Sequence, residues 1–202
     1  IGRVSLSESA AAKRLRTITY NVYGGKGWPE KQGNRARLAA AQPRMPERIA
    51  LELAIYDPDI VSLAEAPEEP AVARIAQALG MTYAFYPGPE AFPGALLSRG
   101  RILESMNCPL AGGMARPQDL LTRHFGRAIV ETPLGECVVF NAHLHPNSRP
   151  IRLREIALIL DAMKADLEGG RSVLLQGDLN HKPDTPEYEQ WLGAGLVDAF
   201  AA

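Results

Sequence analysis

Four short strand-like runs in this chain, one of them (16–20) alternating and β-branched and the others largely apolar, each lead to a polar side chain, and that repeated pattern limits the fold more than any other feature. Residues 16–20 lead to Asn21, residues 60–64 to Glu65, residues 136–142 to His143, and residues 171–176 to Gly177-Asp178-Leu179-Asn180. Aliphatic and β-branched runs bounded by turn formers read as strands, 171–176 as a buried strand of a central sheet. Open α/β folds build their sites at strand ends. Residues two apart on an extended chain share a face, so Asp178 and Asn180 are expected to project together once Gly177 lets the strand turn.

The intervening sequence supplies the other layers. Further strands are expected at 81–86, 95–98, 102–105 and 127–131, the last pairing with 136–141 in a hairpin across Pro133-Leu134-Gly135. Helices are expected at 46–56, 68–79, 151–167 and 187–192. Pro46 suits a first turn, and Gly80 suits a C-terminal cap. In the third helix Ile156, Ile159, Leu160 and Met163 recur at core spacing. Strands joined partly by hairpins and partly by helices favour a layered α/β or α+β sandwich over a purely parallel sheet.

A length of 202 residues suits one substantial domain, here 16–202 behind a polar, alanine-rich tail at 1–15. The net charge of −1 argues against a protein that coats nucleic acid without selectivity. Cys108 and Cys137 fit no zinc spacing and read as core thiols, with a single disulfide as the alternative. No run has the length of a membrane span, and no signal peptide is visible. The chain opens on Ile1, so the compartment is open: cytoplasmic, or exported after removal of an N-terminal segment.

Taken singly, the strand-end residues have ordinary explanations. Asn21 is a turn former, Glu65 a solvated loop acid, His143 a hydrogen-bonded structural histidine, and Asp178 a cap. Together they suit a hard cation and a phosphate. Glu65, with Asn21 nearby, offers oxygen ligands for Mg²⁺ or Mn²⁺, ions that share their coordination with water and substrate phosphate. His143 can donate to a phosphoryl oxygen as charge develops there. Asp178 can orient or deprotonate an attacking water, and Asn180 can hold that water or a phosphoryl oxygen.

The order Thr19-Tyr20-Asn21-Val22, Pro58 through Glu65, Ala95-Leu96-Leu97-Ser98-Arg99, Asn141-Ala142-His143-Leu144 and Gly177-Asp178-Leu179-Asn180 resembles the endonuclease/exonuclease/phosphatase superfamily, with its deoxyribonuclease-I-like fold. The resemblance runs over residues 16–200. It implies a four-layer α/β sandwich, in which two mixed sheets pack face to face with helices outside. It also implies hydrolysis of a phosphoester with Mg²⁺ or Mn²⁺. Asn21 and Glu65 would sit at the metal, His143 at the scissile phosphate, Asp178 at the water, and Asn180 at a phosphate oxygen. Arg99 is expected to be structural.

There are two departures. The family usually has Gln before the metal glutamate, where this chain has Ala64, so a supporting hydrogen bond from that position is lost. The family also continues into a strand with another acidic residue and a final Asp-His pair. Ala202 precedes both, so the sequence is expected to be C-terminally incomplete. The leading expectation is a phosphodiesterase. The alternatives are a nuclease proper and a non-catalytic binding member of the fold. Expected substrates are phosphorylated: nucleic acid, phospholipid, or a sugar or inositol phosphate. No obligate protein partner is inferred. Lys26 and Trp28, in the glycine-rich loop after Asn21, are candidate substrate contacts, as are His145, His181 and Arg149.

Overall fold

A computed structural model describes residues 14–26, 44–89 and 91–201. Eight strands and four α-helices form among them, which is the expected set with its ends shifted. The strands are β1 (Thr17–Asn21), β2 (Ile60–Ala64), β3 (Thr82–Tyr86), β4 (Gly94–Ser98), β5 (Ile102–Asn107), β6 (Phe125–Thr132), β7 (Gly135–His143) and β8 (Val173–Asp178). The helices are α1 (Met45–Ala54), α2 (Glu69–Leu79), α3 (Arg149–Glu168) and α4 (Pro186–Gly193). None of the described helices is long and apolar enough to cross a membrane.

The strands form two sheets of mixed direction, ordered β1-β2-β4-β3 and β5-β6-β7-β8. In the first, β1 and β2 are parallel and β4 runs antiparallel to both β2 and β3. In the second, β5, β6 and β7 are antiparallel neighbours and β8 runs parallel to β7. Alternation along the strands sorts side chains between layers. Ile60, Leu96, Tyr86, Val130 and Val139 face inward and meet between the sheets. Val61, Leu63 and Leu97 face outward onto Ile49, Leu53, Val72 and Ile75 of α1 and α2. Val138 and Phe140 face Ile156, Ile159 and Met163 of α3 and Trp191 of α4. The result is the four-layer sandwich, helices outside. Each fully buried side chain of this size contributes about 1.5–3 kcal/mol, which makes these faces the main source of stability.

Local signals explain the helix ends. α2 has Pro70 in its first turn, and Gly80 closes it in the left-handed conformation at φ 65°. Helix α3 runs Arg149–Glu168, and Arg152, Glu155 and Asp166 share its buried face with Ile156, Ile159 and Met163. Both cysteines are free thiols, Cys137 buried and Cys108 half-buried. Arg99 donates to Pro58 O and to Asp57, tying the start of β2 to the end of β4. Leu15 packs on the inter-sheet layer, and Arg16 N–H donates to Asp59. Residues 1–13 of the expected tail lie outside the described residues.

The exit of β8 differs from expectation. The strand runs through Asp178, and Gly177 is paired inside it with Ala142. A Cβ at Gly177 would stand 1.8 Å from Ala142 O, so the glycine serves a close approach of two strands. The chain turns instead at Asn180, φ 51°. Asp178 and Asn180 therefore do not project as an extended pair.

Candidate functional site

The parallel pair β1–β2 and the parallel pair β7–β8 finish at the same end of the sandwich. Asn21 pairs in register with Ala64, the residue before Glu65. His143 pairs in register with Asp178. One sheet thus brings an amide and a carboxylate, and the other a carboxylate and an imidazole.

The Asn21 amide joins the two halves. Its Nδ2 donates to Glu65 Oε1 at 3.1 Å and to Asp178 Oδ2 at 3.0 Å. The Tyr23 N–H donates to Asn21 Oδ1 at 3.1 Å, which fixes the nitrogen toward the carboxylates. Backbone turns follow the strand ends at once. Tyr23, Glu65, Phe92 and Asn180 are all non-glycine residues with φ between 47° and 62°. Such conformations cost on the order of 1–3 kcal/mol each, and they gather at sites that the surrounding fold holds rigidly.

His143 is buried and lies 3.8 Å through Nε2 from Asp178 Oδ2. Its ring meets His124 edge-on at 5.9 Å and Phe92 at 6.3 Å. Burial pushes its pKa down to about 4; nearby His124 and Arg123 push the same way, while Asp178 opposes them. That shift favours the neutral imidazole at pH 7, whose one ring N–H is able to donate a hydrogen bond. Asp178 Oδ1 accepts from the Asn180 N–H at 3.2 Å, and Asn180 Nδ2 donates to Leu144 O at 2.9 Å. Asn180 thus braces the turn beneath Asp178 and has one amide hydrogen committed there.

The other candidates lie on the surroundings. Lys26 Nζ stands 5.9 Å from the Tyr23 ring centroid, on the loop just past Asn21. Trp28 lies outside the described residues. His145 Nδ1 accepts from the N–H groups of Asn147 and Ser148, shaping the turn into α3. His181 Nε2 accepts from Trp191 Nε1 at 3.0 Å. Arg149 lies 3.5 Å from Glu187, which is fully buried and also binds Arg152. These polar contacts of His181 and Arg149 run to helix α4 and to Lys182 O in the loop before it, not to the Asp178 cluster.

Sequence reasoning missed His124, Asn141, Phe92 and Arg123. His124 Nε2 meets Asn141 Oδ1 at 3.1 Å, and Asn141 Nδ2 donates to Ala95 O of the other sheet at 3.0 Å. The Arg123 guanidinium lies 5.0 Å from the Phe92 ring centroid. A signal for His124 was available. Counting the β6–β7 hairpin from its turn pairs Phe125 with Ala142, which sets His124 beside His143.

The donors suit a hydrated hard cation. Among the described residues no three His, Cys, Asp or Glu side chains converge as a metal cage. Mg²⁺ does not need one, since it keeps several waters and takes one or two carboxylates. Glu65 and Asp178 both lie within hydrogen-bond distance of one amide nitrogen, a place where a positive charge would be favoured. Two clefts elsewhere, each of about 300 Å³, are lined by Asp59, Arg99 and Glu131 and by Ile18, Tyr20 and Tyr56. Neither contains this polar set.

Comparison with known families matches residues 18–201 to the endonuclease/exonuclease/phosphatase family. Among solved structures, a humanized D. rerio TDP2 with 14 mutations is 20% identical at a TM-score of 0.62, over 92% of this chain and 72% of that one. The Bacteroides thetaiotaomicron mannosyl-6-phosphatase is 17% identical at 0.66, over 90% and 71%. The human Nocturnin catalytic domain with bound sulfate is 18% identical at 0.63, over 88% and 68%. No curated protein gives a significant match. At these identities the structural likeness concerns the fold.

Proposed function

The chain belongs to the endonuclease/exonuclease/phosphatase family, and from that premise we propose that it is a divalent-metal-dependent phosphodiesterase. The observation that carries the proposal is the Asn21 amide bridging Glu65 and Asp178, with the neutral imidazole of His143 beside them. A nucleophile, a phosphate and a charge-stabilising donor all have a place there.

Glu65 would hold the metal with Asn21 beside it; the Asn21 Nδ2 faces the carboxylates and its Oδ1 accepts from the Tyr23 N–H, so the amide would have to turn over to offer its oxygen as a ligand. When bound, Mg²⁺ or Mn²⁺ supplies positive charge to the phosphoryl oxygens. Asp178 orients a water against phosphorus and takes its proton as the new P–O bond forms. The bond to the leaving oxygen breaks, and the alcohol departs with a proton from solvent. His143 donates a ring N–H to a phosphoryl oxygen, a role that suits an imidazole kept neutral by burial. Asn180 holds Asp178 through its backbone N–H. Lys26 lies on the loop where an anionic substrate would enter.

The test is hydrolysis, with Mg²⁺ and with Mn²⁺, of a bis-aryl phosphodiester, DNA, RNA, phospholipid and inositol phosphates. Turnover of at least one diester that stops on chelation is expected. Inactivity toward all diesters and monoesters would overturn the proposal and favour a binding member of the fold.

A further inference from the structure

We propose that His124 is the positioning residue for His143, holding its imidazole in place by ring contact and by a buried hydrogen-bond chain that reaches the opposite sheet. The problem it solves is visible at His143. That ring is buried, its Nδ1 has no hydrogen-bond partner among the described residues, and its Nε2 is 3.8 Å from Asp178, beyond hydrogen-bond reach. Among the described residues no hydrogen bond sets the ring angle. Packing must do it, and two rings are available. Phe92 lies on a loop and is 37% exposed, whereas His124 is fully buried.

His124 is itself held by two hydrogen bonds. Its carbonyl accepts from the His143 N–H at 3.0 Å, which locks the two residues side by side. Its Nε2 meets Asn141 Oδ1, and Asn141 Nδ2 is committed to Ala95 O. Because the amide nitrogen faces a carbonyl, the amide oxygen faces His124, and the shared proton sits on His124 Nε2. Gly94 makes the room, since a Cβ there would stand 2.1 Å from His124 Cδ2. A phenylalanine would fill this space without burying polar atoms, so a histidine here has a cost that packing alone does not explain. The chain Ala95–Asn141–His124–His143 ties the ring to both sheets, whose strand ends carry the rest of the site.

The experiment compares His124→Leu, which removes both ring contact and chain, with His124→Gln, whose amide can reach Asn141 but offers no ring edge. Circular dichroism establishes folding, and His124→Gln decides the matter if His124→Leu does not fold. Nitrogen NMR of labelled histidine rings reports the His143 tautomer and does not need catalysis. One fixed tautomer is expected in the wild type, and averaged His143 signals are expected in the variants. The activity arm rests on the phosphodiesterase proposal. There kcat should fall about 100-fold, the loss that accompanies a misplacement near 1 Å, with KM little changed and His124→Gln the milder variant. His143 ring signals unchanged from wild type in a folded variant would overturn the inference, whether or not the protein proves active. A kcat within about twofold of wild type in an active protein would do the same.

Discussion

The Asn21 side chain donates to the Asp178 carboxylate at 3.0 Å, joining residues 157 positions apart across the two sheets. The same nitrogen reaches Glu65 at 3.1 Å. A neutral donor between two carboxylates satisfies them only in part, and a divalent cation does so better. Adding Mg²⁺ should therefore raise the melting temperature. At ten times the dissociation constant the gain is about 1.4 kcal/mol, or roughly 3–5 °C for a chain of this size. Glu65→Gln should abolish the shift, which differential scanning calorimetry would read directly.

Asp178→Asn keeps the shape of the side chain and removes the proton acceptor. Hydrolysis should fall by at least about 10³-fold, with a stability loss of about 1 kcal/mol, because the amide oxygen can accept from the Asn180 N–H or from Asn21 Nδ2 but not from both. Single-turnover kinetics beside a urea melt would separate the two effects. Retained activity would remove Asp178 from the mechanism.

Acid should destabilise the fold before its carboxylates titrate. Burial holds the pKa values of His124 and His143 at about 4, against 6.5 for an ordinary histidine. Between these limits the unfolded chain binds more protons than the folded one. Stability is therefore full above about pH 6.5 and is lost as pH falls toward 4, by about 3 kcal/mol for His124 alone. Urea melts between pH 7.5 and 4.5 should show this slope, and His124→Leu should reduce it by about one proton.

Gly177→Ala should be among the most damaging single-methyl changes in the protein. The added Cβ would stand 1.8 Å from Ala142 O, at a backbone φ of 136° that only glycine readily adopts. The β7–β8 pair must separate to admit it, which should cost about 3 kcal/mol or more. His143 and Asp178 pair in register one step further along, so activity should fall along with the urea midpoint.

The layers were legible because each strand and helix announces itself locally. Ile60 through Ala64 is an apolar run broken only by Ser62, and Gly80 caps its helix as glycines do. The polar ends Asn21, Glu65, His143 and Asp178 were legible for the same reason: each directly follows or closes an apolar run. Residues whose meaning lies in distant partners were hidden. His124 follows an irregular stretch, and its neighbours come from β4 and β7. Arg152 and Glu155 look like a solvated helix face, yet they are buried. Arg152 binds Glu187, and Glu155 accepts from the His145 and Leu121 N–H groups. The role first given to Gly177 assumed a turn, whereas the glycine is there for a contact with Ala142, which no run of neighbouring residues reveals.

The inner layer between the sheets has a second significance. Asn21 and Glu65 are carried by one sheet, and His143 and Asp178 by the other. Ile60, Leu96, Val130 and Val139 therefore act as a spacer whose thickness sets the gap between the two carboxylates. The Ser62–Gln176 hydrogen bond is a strut of fixed length in the same layer. Enlarging or shrinking a side chain there would retune the site from beneath, without touching any residue that meets the substrate.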